Sequence, residues 1–391
     1  MNSFGDSVEV WPAHRFEGDG AAIPPSIAEL DYAPSLRTVG TCEAALIAVA
    51  QADAHAAGSR GALSQFMVRC ESIASARIDG IRADEGQYAQ ALAGIGEDDS
   101  ARRVVATASA VAHLLDRVDA RGAFAVGDLQ SAHVVLMGTE AGPRSADDPI
   151  SHTQTSTRSP SDAPYVPPRP DRVPALLDDL VAFLNRDDVP VIVQTAIAHA
   201  QFASIRPFAD GNGRIGRALL VASLRRRGVS SHAVVPVAGG LEARQEEYAE
   251  SLVAYRDGDP SPIIVLVANC ARVAAIESRI TAARVKELPD AWRAAVKPRR
   301  GSAAAALVAA FAEHPAMGAA ELERYGGAGR ARAYEAVERL VSAGVIREVT
   351  GRKRGRVWAA TDLLAEGEDL GRRIRAGMGG GRREPASAPP A

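Results

Sequence analysis

An aspartate, two glycines around an asparagine, and two arginines follow one another closely at Asp210, Gly211, Asn212, Gly213, Arg214 and Arg217. The residues that come next, Ala218 to Leu224, are helix formers, so this loop opens directly onto a helix. Free backbone N–H groups and the positive end of the helix dipole then point at one spot, an arrangement that holds anions and phosphate above all. Arg214 and Arg217 stand three residues apart on neighbouring faces of the first turn, where guanidinium forks can take further phosphate oxygens. Asp210 can ligate Mg²⁺, which prefers one or two carboxylates together with phosphate and water. These residue types at this spacing describe a nucleoside triphosphate site, although no Gly-Lys-Ser/Thr follows and the loop is not of the Walker kind. The same residues could also make a plain turn between helices, with the glycines at positive φ, Asn212 as cap and the arginines on surface carboxylates.

The elements that must position this loop are helical. Apolar residues recur at three- and four-residue intervals near 41–57, 61–78, 99–120 and 126–137, for example Val104, Val111, Leu114, Leu115 and Val118. Gly138 to Pro170 breaks the pattern, and Val173 to Leu184 resumes it as one stripe. The next helix, from the Asp188 and Pro190 start signals to Ala203, is apolar almost all round, which predicts a central position. Further helices are predicted near 240–256 and 261–287.

The chain has 391 residues, 47% hydrophobic but only 5% aromatic, rich in alanine, valine and leucine. Its length implies two or three units and its composition an all-α fold class. Net charge is −3, which excludes a protein basic throughout. Three scattered cysteines, Cys42, Cys70 and Cys270, make neither a disulfide framework nor paired zinc ligands, and fit a reducing compartment. With no apolar leader near Met1 and no long apolar run, the expectation is a cytoplasmic protein without membrane contact.

Arg206-Pro207-Phe208-Ala209-Asp210-Gly211-Asn212-Gly213-Arg214-Ile215-Gly216-Arg217 resembles the signature of the Fic (Fido) family, HxFx(D/E)GNGRxxR, at every position but the first. Ser75-Ala-Arg-Ile-Asp79-Gly80 resembles the family's N-terminal inhibitory motif, (S/T)xxxE(G/N), with aspartate for glutamate. Tyr165-Val-Pro-Pro168, Phe183-Leu184-Asn185 and Tyr248 also sit where the family places similar residues, and the likeness covers about residues 25–290.

The resemblance implies a helical Fido core with a flap and AMP transfer from ATP, with Mg²⁺, to a hydroxyl of a target protein. It assigns Asp210 to the metal and Gly211, Asn212 and Gly213 to the phosphates. Arg214 and Arg217 would orient the β and γ groups, and Ser75, Asp79 and Gly80 would inhibit through Arg217. The family's catalytic histidine aligns with Arg206. A general base needs a pKa near the working pH, and a guanidinium stays protonated above about pH 12, so Arg206 cannot take a proton from a hydroxyl. His199 lies two helical turns upstream, about 10 Å away, and is read as structural. The flap region, 144–163, lacks alternating apolar residues and so does not look built for strand docking of a target. Asp79, one methylene shorter than glutamate, is expected to reach Arg217 weakly or through water.

Composition changes at Lys297-Pro298-Arg299-Arg300. From Lys297 to Arg383 there are 17 Lys or Arg against 10 Asp or Glu. Helices near 303–313, 319–325 and 329–343, followed by a hairpin around Gly351, resemble a winged helix-turn-helix. Arg330, Arg332 and Arg339 are expected to face outward, and the tip carries Arg352, Lys353, Arg354 and Arg356, so duplex DNA is a second expected partner. The expected organisation is a flexible arm over 1–25, an N-terminal helical region over 26–125 and a Fido domain over 126–290. A winged helix-turn-helix follows over 298–365, then a helix end and disordered tail over 366–391. Two functions follow from these features: a Fic-type adenylyltransferase with impaired or altered catalysis, or a nucleotide-responsive DNA-binding regulator on an inactive Fic body.

Overall fold

The computed structural model describes residues 11–57, 61–95, 97–139, 143–144, 165–327, 329–352 and 354–379. Lys353, residues 1–10, the tail from 380 and nearly all of the expected flap lie outside them. The described chain is mostly helical, as its composition predicts.

The first helices are α1 (Leu36–Ala56), α2 (Ala62–Ile78), α3 (Glu85–Leu92), α4 (Asp99–Arg121) and α5 (Val126–Met137). They are followed by α6 (Val173–Leu184), α7 (Val191–Ile205), α8 (Asn212–Arg226), α9 (Val237–Ala243), α10 (Gln245–Arg256) and α11 (Ser261–Val296). The logic of α4 is typical of the set. Asp98 caps it by accepting the Ala101 N–H, its Val104, Val111, Leu114, Leu115 and Val118 stripe is buried, and Gly122 at φ 68° ends it. As predicted, α7 is central and buried on almost every face. It packs against α6, α8 and α11, while α1 lies along α11 and α2 along α4 and α9.

The predicted helix over 240–256 is two helices, because the chain turns at Arg244, where φ and ψ are −130° and 42°. The arm expected to be flexible is packed over 11–25. Trp11 is buried against Tyr32 and Tyr255, the His14 N–H donates to the Arg256 carbonyl, and β1 (Arg15–Phe16) pairs antiparallel with β2 (Ala22–Ile23).

Beyond α11 come α12 (Ala303–Glu313), β3 (Ala316–Gly318), α13 (Ala319–Gly326), α14 (Arg330–Ser342), β4 (Ile346–Glu348) and β5 (Val357–Ala360). The three predicted helices and the hairpin are present, and β3 joins β5 to make a sheet of order β3-β5-β4. Residues 361–379 form one continuous helix, α15 (Thr361–Gly379), where a boundary at 365 and a tail were expected. It returns to α11, α9 and α2, burying Leu363, Leu370, Ile374 and Met378, and Glu366 accepts from Thr281 and Arg284. Among the described residues no helix is long and apolar enough to cross a membrane.

Candidate functional site

The chain leaves α7 through Arg206, whose left-handed φ of 47° is one of two such values at non-glycine residues among those described. Phe208 and Asn212 then fix the loop. The Phe208 N–H donates to Asn212 Oδ1 at 2.9 Å, and Asn212 Nδ2 donates back to the Phe208 carbonyl at 2.6 Å. Asn212 thus holds the loop's shape. Phe208 stacks on His133 at 3.8 Å, and His133 Nε2 donates to the Asp210 carbonyl at 3.0 Å. Gly211 is required by its φ of 79°, and a Cβ there would stand 2.9 Å from Leu136 Cδ2.

Next to this loop lies a cavity of about 310 Å³, lined by Asp79, Arg206, Asp210, Arg214, Arg217 and their neighbours. The sequence-predicted loop residues and the motif on α2 therefore meet in one place, although 130 residues separate them. Arg217 is fully buried. Its Nε donates to Ser75 Oγ at 2.8 Å, and its Nη2 donates to the Ser75 carbonyl at 2.8 Å and to Asp79 Oδ1 at 2.7 Å. The expected weak or water-bridged contact is thus corrected to a direct one. The reason is backbone approach: Gly213 has no Cβ, and one there would come within 2.9 Å of both Asp79 Oδ1 and Arg217 Nη1. Gly80, at φ 74°, makes the turn that follows Asp79.

Asp79 Oδ2 also stands 3.5 Å from Arg214 Nε, a buried atom that makes no hydrogen bond. Arg214 and Arg103 each approach Asp210 at 3.6 Å. Arg103, on α4, has no signal in the sequence. Burial lowers the Arg214 pKa, with Asp79 and Asp210 opposing. For Arg217 burial acts in the same sense, but Asp79 and Tyr248 outweigh it and the net shift is upward.

A hydrogen-bonded chain runs beside Arg217, from Gly216 through His199 to Tyr248. His199 Nδ1 is 2.7 Å from the Gly216 carbonyl, which can only accept, so Nδ1 carries the proton and Nε2 accepts the Tyr248 O–H at 2.8 Å. Burial depresses the His199 pKa to about 4. His199, the one histidine lining the cavity, is neutral and engaged on both nitrogens, in keeping with the structural role expected of it.

Arg206 is buried, and burial lowers its pKa from the ordinary arginine value. Its guanidinium lies 6.0 Å from the centroid of the Tyr165 ring, over which Arg256 also stands at 3.8 Å. Tyr165 donates its O–H to the Ser204 carbonyl at 2.9 Å, and Arg144 Nε donates to the Arg206 carbonyl at 2.8 Å. Among the described residues, the ionisable side chain that lines the cavity at the end of α7 is the Arg206 guanidinium, which can donate hydrogen bonds but not take a proton.

The residues present fit a nucleotide with Mg²⁺. The α8 N-terminus, two buried guanidinium groups and the orphaned Arg214 Nε suit phosphates, and the half-exposed Asp210 carboxylate suits a metal that phosphate also ligates. No group of three or more metal-ligating side chains occurs among the described residues, so phosphate and water would have to supply the other ligands.

In the C-terminal unit, Arg330 on α14 and Arg354 and Arg356 beyond β4 line one open cleft with Tyr334. Arg332 and Arg352 are exposed and do not line it. Arg339 is exposed, as expected, and its guanidinium donates to the Val296 and Lys297 carbonyls at 2.6 Å at the end of α11.

Residues 124–224 match the profile of the Fic/DOC family, so the chain carries a Fic/DOC family domain. Over 125 residues it is 34% identical to protein adenylyltransferase fic-1 of Caenorhabditis elegans, covering 31% of this chain and 23% of that one. Over 105 residues it is 34% identical to the probable protein adenylyltransferase aq_aa38 of Aquifex aeolicus (strain VF5), covering 27% and 29%. The chain thus spans less than a third of the length of these relatives. A crystal structure of a Fic family protein from Desulfovibrio desulfuricans G20 shares the fold, with TM-score 0.53 and 22% identity over 87% of this chain and 98% of that one.

Proposed function

We propose that the Fic-type body, residues 126–290 with the preceding helical region, binds ATP or a related nucleotide with Mg²⁺ but transfers AMP to protein hydroxyls poorly or not at all. The observation that carries this is the cavity in which Asp210, Arg214 and Arg217 converge while its lining at the end of α7 is Arg206. Asp210 would hold the metal, the amides at Gly211 to Arg214 would cradle phosphates, and Arg214 and Arg217 would orient the β and γ groups. ATP bound there supplies an electrophilic α-phosphorus, but an attacking hydroxyl still needs a proton acceptor, and Arg206 can only donate hydrogen bonds and charge. Retention of phosphate-binding residues beside a permanent cation favours a holder or sensor of nucleotide over a catalyst.

Ser75, Asp79 and Gly80 act in this proposal as an inhibitory motif, since the Asp79 carboxylate engages the same guanidinium groups that would receive phosphate. Losing one charge-assisted phosphate contact costs on the order of 1.5–3 kcal/mol, roughly ten- to a hundredfold in affinity. Calorimetric titration of Mg-ATP into the wild type and Arg217→Ala tests the site. The expected result is saturable binding that the substitution weakens by that factor, and equal affinity in both would dispose of the assignment.

A second function has its own support. Residues 298–365 would act as a winged helix-turn-helix that binds duplex DNA, because the cleft between α14 and the hairpin gathers Arg330, Arg354 and Arg356 on one face. Arg332 and Arg352, both exposed, would add phosphate contacts. The protein would then be a cytoplasmic, nucleotide-responsive regulator, with target protein and DNA as alternative partners.

A further inference from the structure

A second cavity, of about 450 Å³, lies away from the nucleotide loop, between α2, α3 and α15. Its size is that of an ordinary small-molecule site. Phe66, Ile73, Val104, Leu370 and Ile374 give it apolar walls. Two polar groups among its lining residues lack a partner that would neutralise or satisfy them, although the Arg69 guanidinium also stands 5.9 Å over the Phe66 ring. Tyr88 is 6% exposed, and its hydroxyl is buried without a hydrogen-bond partner. Arg69 donates through Nε to the Gln65 carbonyl at 3.3 Å, and none of the ion pairs among the described residues involves it.

A buried hydroxyl without a partner and a half-buried cation without a counter-ion are both costly, and they occur here side by side in one apolar space. Both side chains line the same cavity. The carboxylates that also line the cavity are already engaged or solvated. Asp84 caps α3 by accepting the Gln87 N–H at 2.8 Å, Glu242 lies 3.5 Å from Arg375, and Glu368 is exposed.

We propose that this cavity is a binding site for a small amphipathic carboxylate. Its apolar body lies between α2 and α15, and its carboxylate receives hydrogen bonds from the Arg69 guanidinium and the Tyr88 hydroxyl. A neutral apolar ligand would leave the cation uncompensated, and a cationic one would meet Arg69 directly. The site occupies the side of α2 carrying Cys70, Ile73 and Arg77, whereas Ser75 and Asp79 on the other side hold Arg217. It does not depend on whether the other cavity takes a nucleotide.

The test uses the full chain and 8-anilinonaphthalene-1-sulfonate as fluorescent probe, with decanoate and decanol as competitors. Saturable probe binding is expected, displaced by decanoate at least tenfold more effectively than by decanol. Arg69→Gln should weaken decanoate roughly ten- to a hundredfold and Tyr88→Phe several-fold. Gly367→Leu should abolish displacement by filling the space, because a Cβ at Gly367 would stand 3.8 Å from Cys70 Sγ and Phe66 Cζ. Circular dichroism melts verify that each variant folds, and if Gly367→Leu does not, the two polar variants decide. Unsaturable binding, equal competition by decanol and decanoate, or decanoate affinity unchanged in Arg69→Gln and Tyr88→Phe would overturn the proposal.

Discussion

Asp79 Oδ1 accepts from Arg217 Nη2 at 2.7 Å while its Oδ2 stands 3.5 Å from Arg214 Nε, so one carboxylate engages both arginines of the glycine loop. It does so from the C-cap of a different helix, α2, and over Gly213, where any side chain would collide with it. Anything anionic that enters the cavity must compete with Asp79 for these two guanidinium groups.

Asp79→Ala is therefore expected to raise affinity for Mg-ATP by about tenfold or more, since a charge-assisted contact no longer has to be broken before phosphate binds. The same change strips a buried cation of its partner, so the free protein should melt lower and recover more on adding nucleotide than the wild type does. Calorimetry and thermal shift measure the two effects. Unchanged nucleotide affinity would show that Asp79 does not guard the site.

The dependence of stability on pH should expose Glu71, one turn before Ser75. Burial pushes its carboxyl to about 8, and one oxygen accepts the Ala238 N–H at 2.8 Å. The folded form keeps a proton that the unfolded chain releases near its ordinary value of 4.5, so this stability is present at low pH and lost as pH rises toward 8. His199, at about 4, and His14, at about 3, act oppositely: they cost stability as pH falls below their ordinary 6.5, because the unfolded chain binds those protons first. Above pH 6.5 only Glu71 of these three contributes, with a slope of at most about 1.4 kcal/mol per pH unit. Melting temperature should fall between pH 6.5 and 8 in the wild type and stay flat in Glu71→Gln. Parallel curves would contradict the burial argument.

Duplex binding by the full chain, followed by fluorescence anisotropy against salt, tests the C-terminal unit. Affinity should drop steeply as salt rises, and Arg330→Ala, Arg354→Ala and Arg356→Ala should each reduce the slope by about 1 if each meets a phosphate. Arg339→Ala should leave the slope alone and lower stability instead, because that side chain caps α11. No binding to a random-sequence library at low salt would leave the arginine cleft without a DNA role.

The helices that carry the glycine loop were legible in the sequence because they bury regular stripes, as Val104 to Val118 does on α4, and α7 announced its central place by being apolar on every face. The eight-residue α3 was not, since its Ala89 is covered by Ala316, Val357 and Ala359 from more than 200 residues away and its own pattern is too short to show a period. The full length of α15 was not legible beyond a helix end, because the partners that fix it, Thr281 and Arg284, lie on α11. Within the site, the loop residues and the α2 motif could be read as two sets, but their meeting could not. Counting methylenes in Asp79 underestimated its reach, because that reach is set by how closely Gly213 lets the two helices approach. Arg103 and Arg256 had no local signal, being ordinary helix arginines that the fold brings to the cavity and to Tyr165.

Arg206 decides whether this site can transfer AMP. Incubation with α-labelled ATP and Mg²⁺, alone and with cell lysate, should give little or no protein labelling by the wild type, because removing a general base typically costs a factor of about 10² to 10⁴. Arg206→His should restore labelling, and Arg206→His combined with Asp79→Ala should raise it further by freeing Arg214 and Arg217. Robust labelling by the wild type that persists unchanged in Arg206→Ala would mean that another group removes the proton, and would contradict the account.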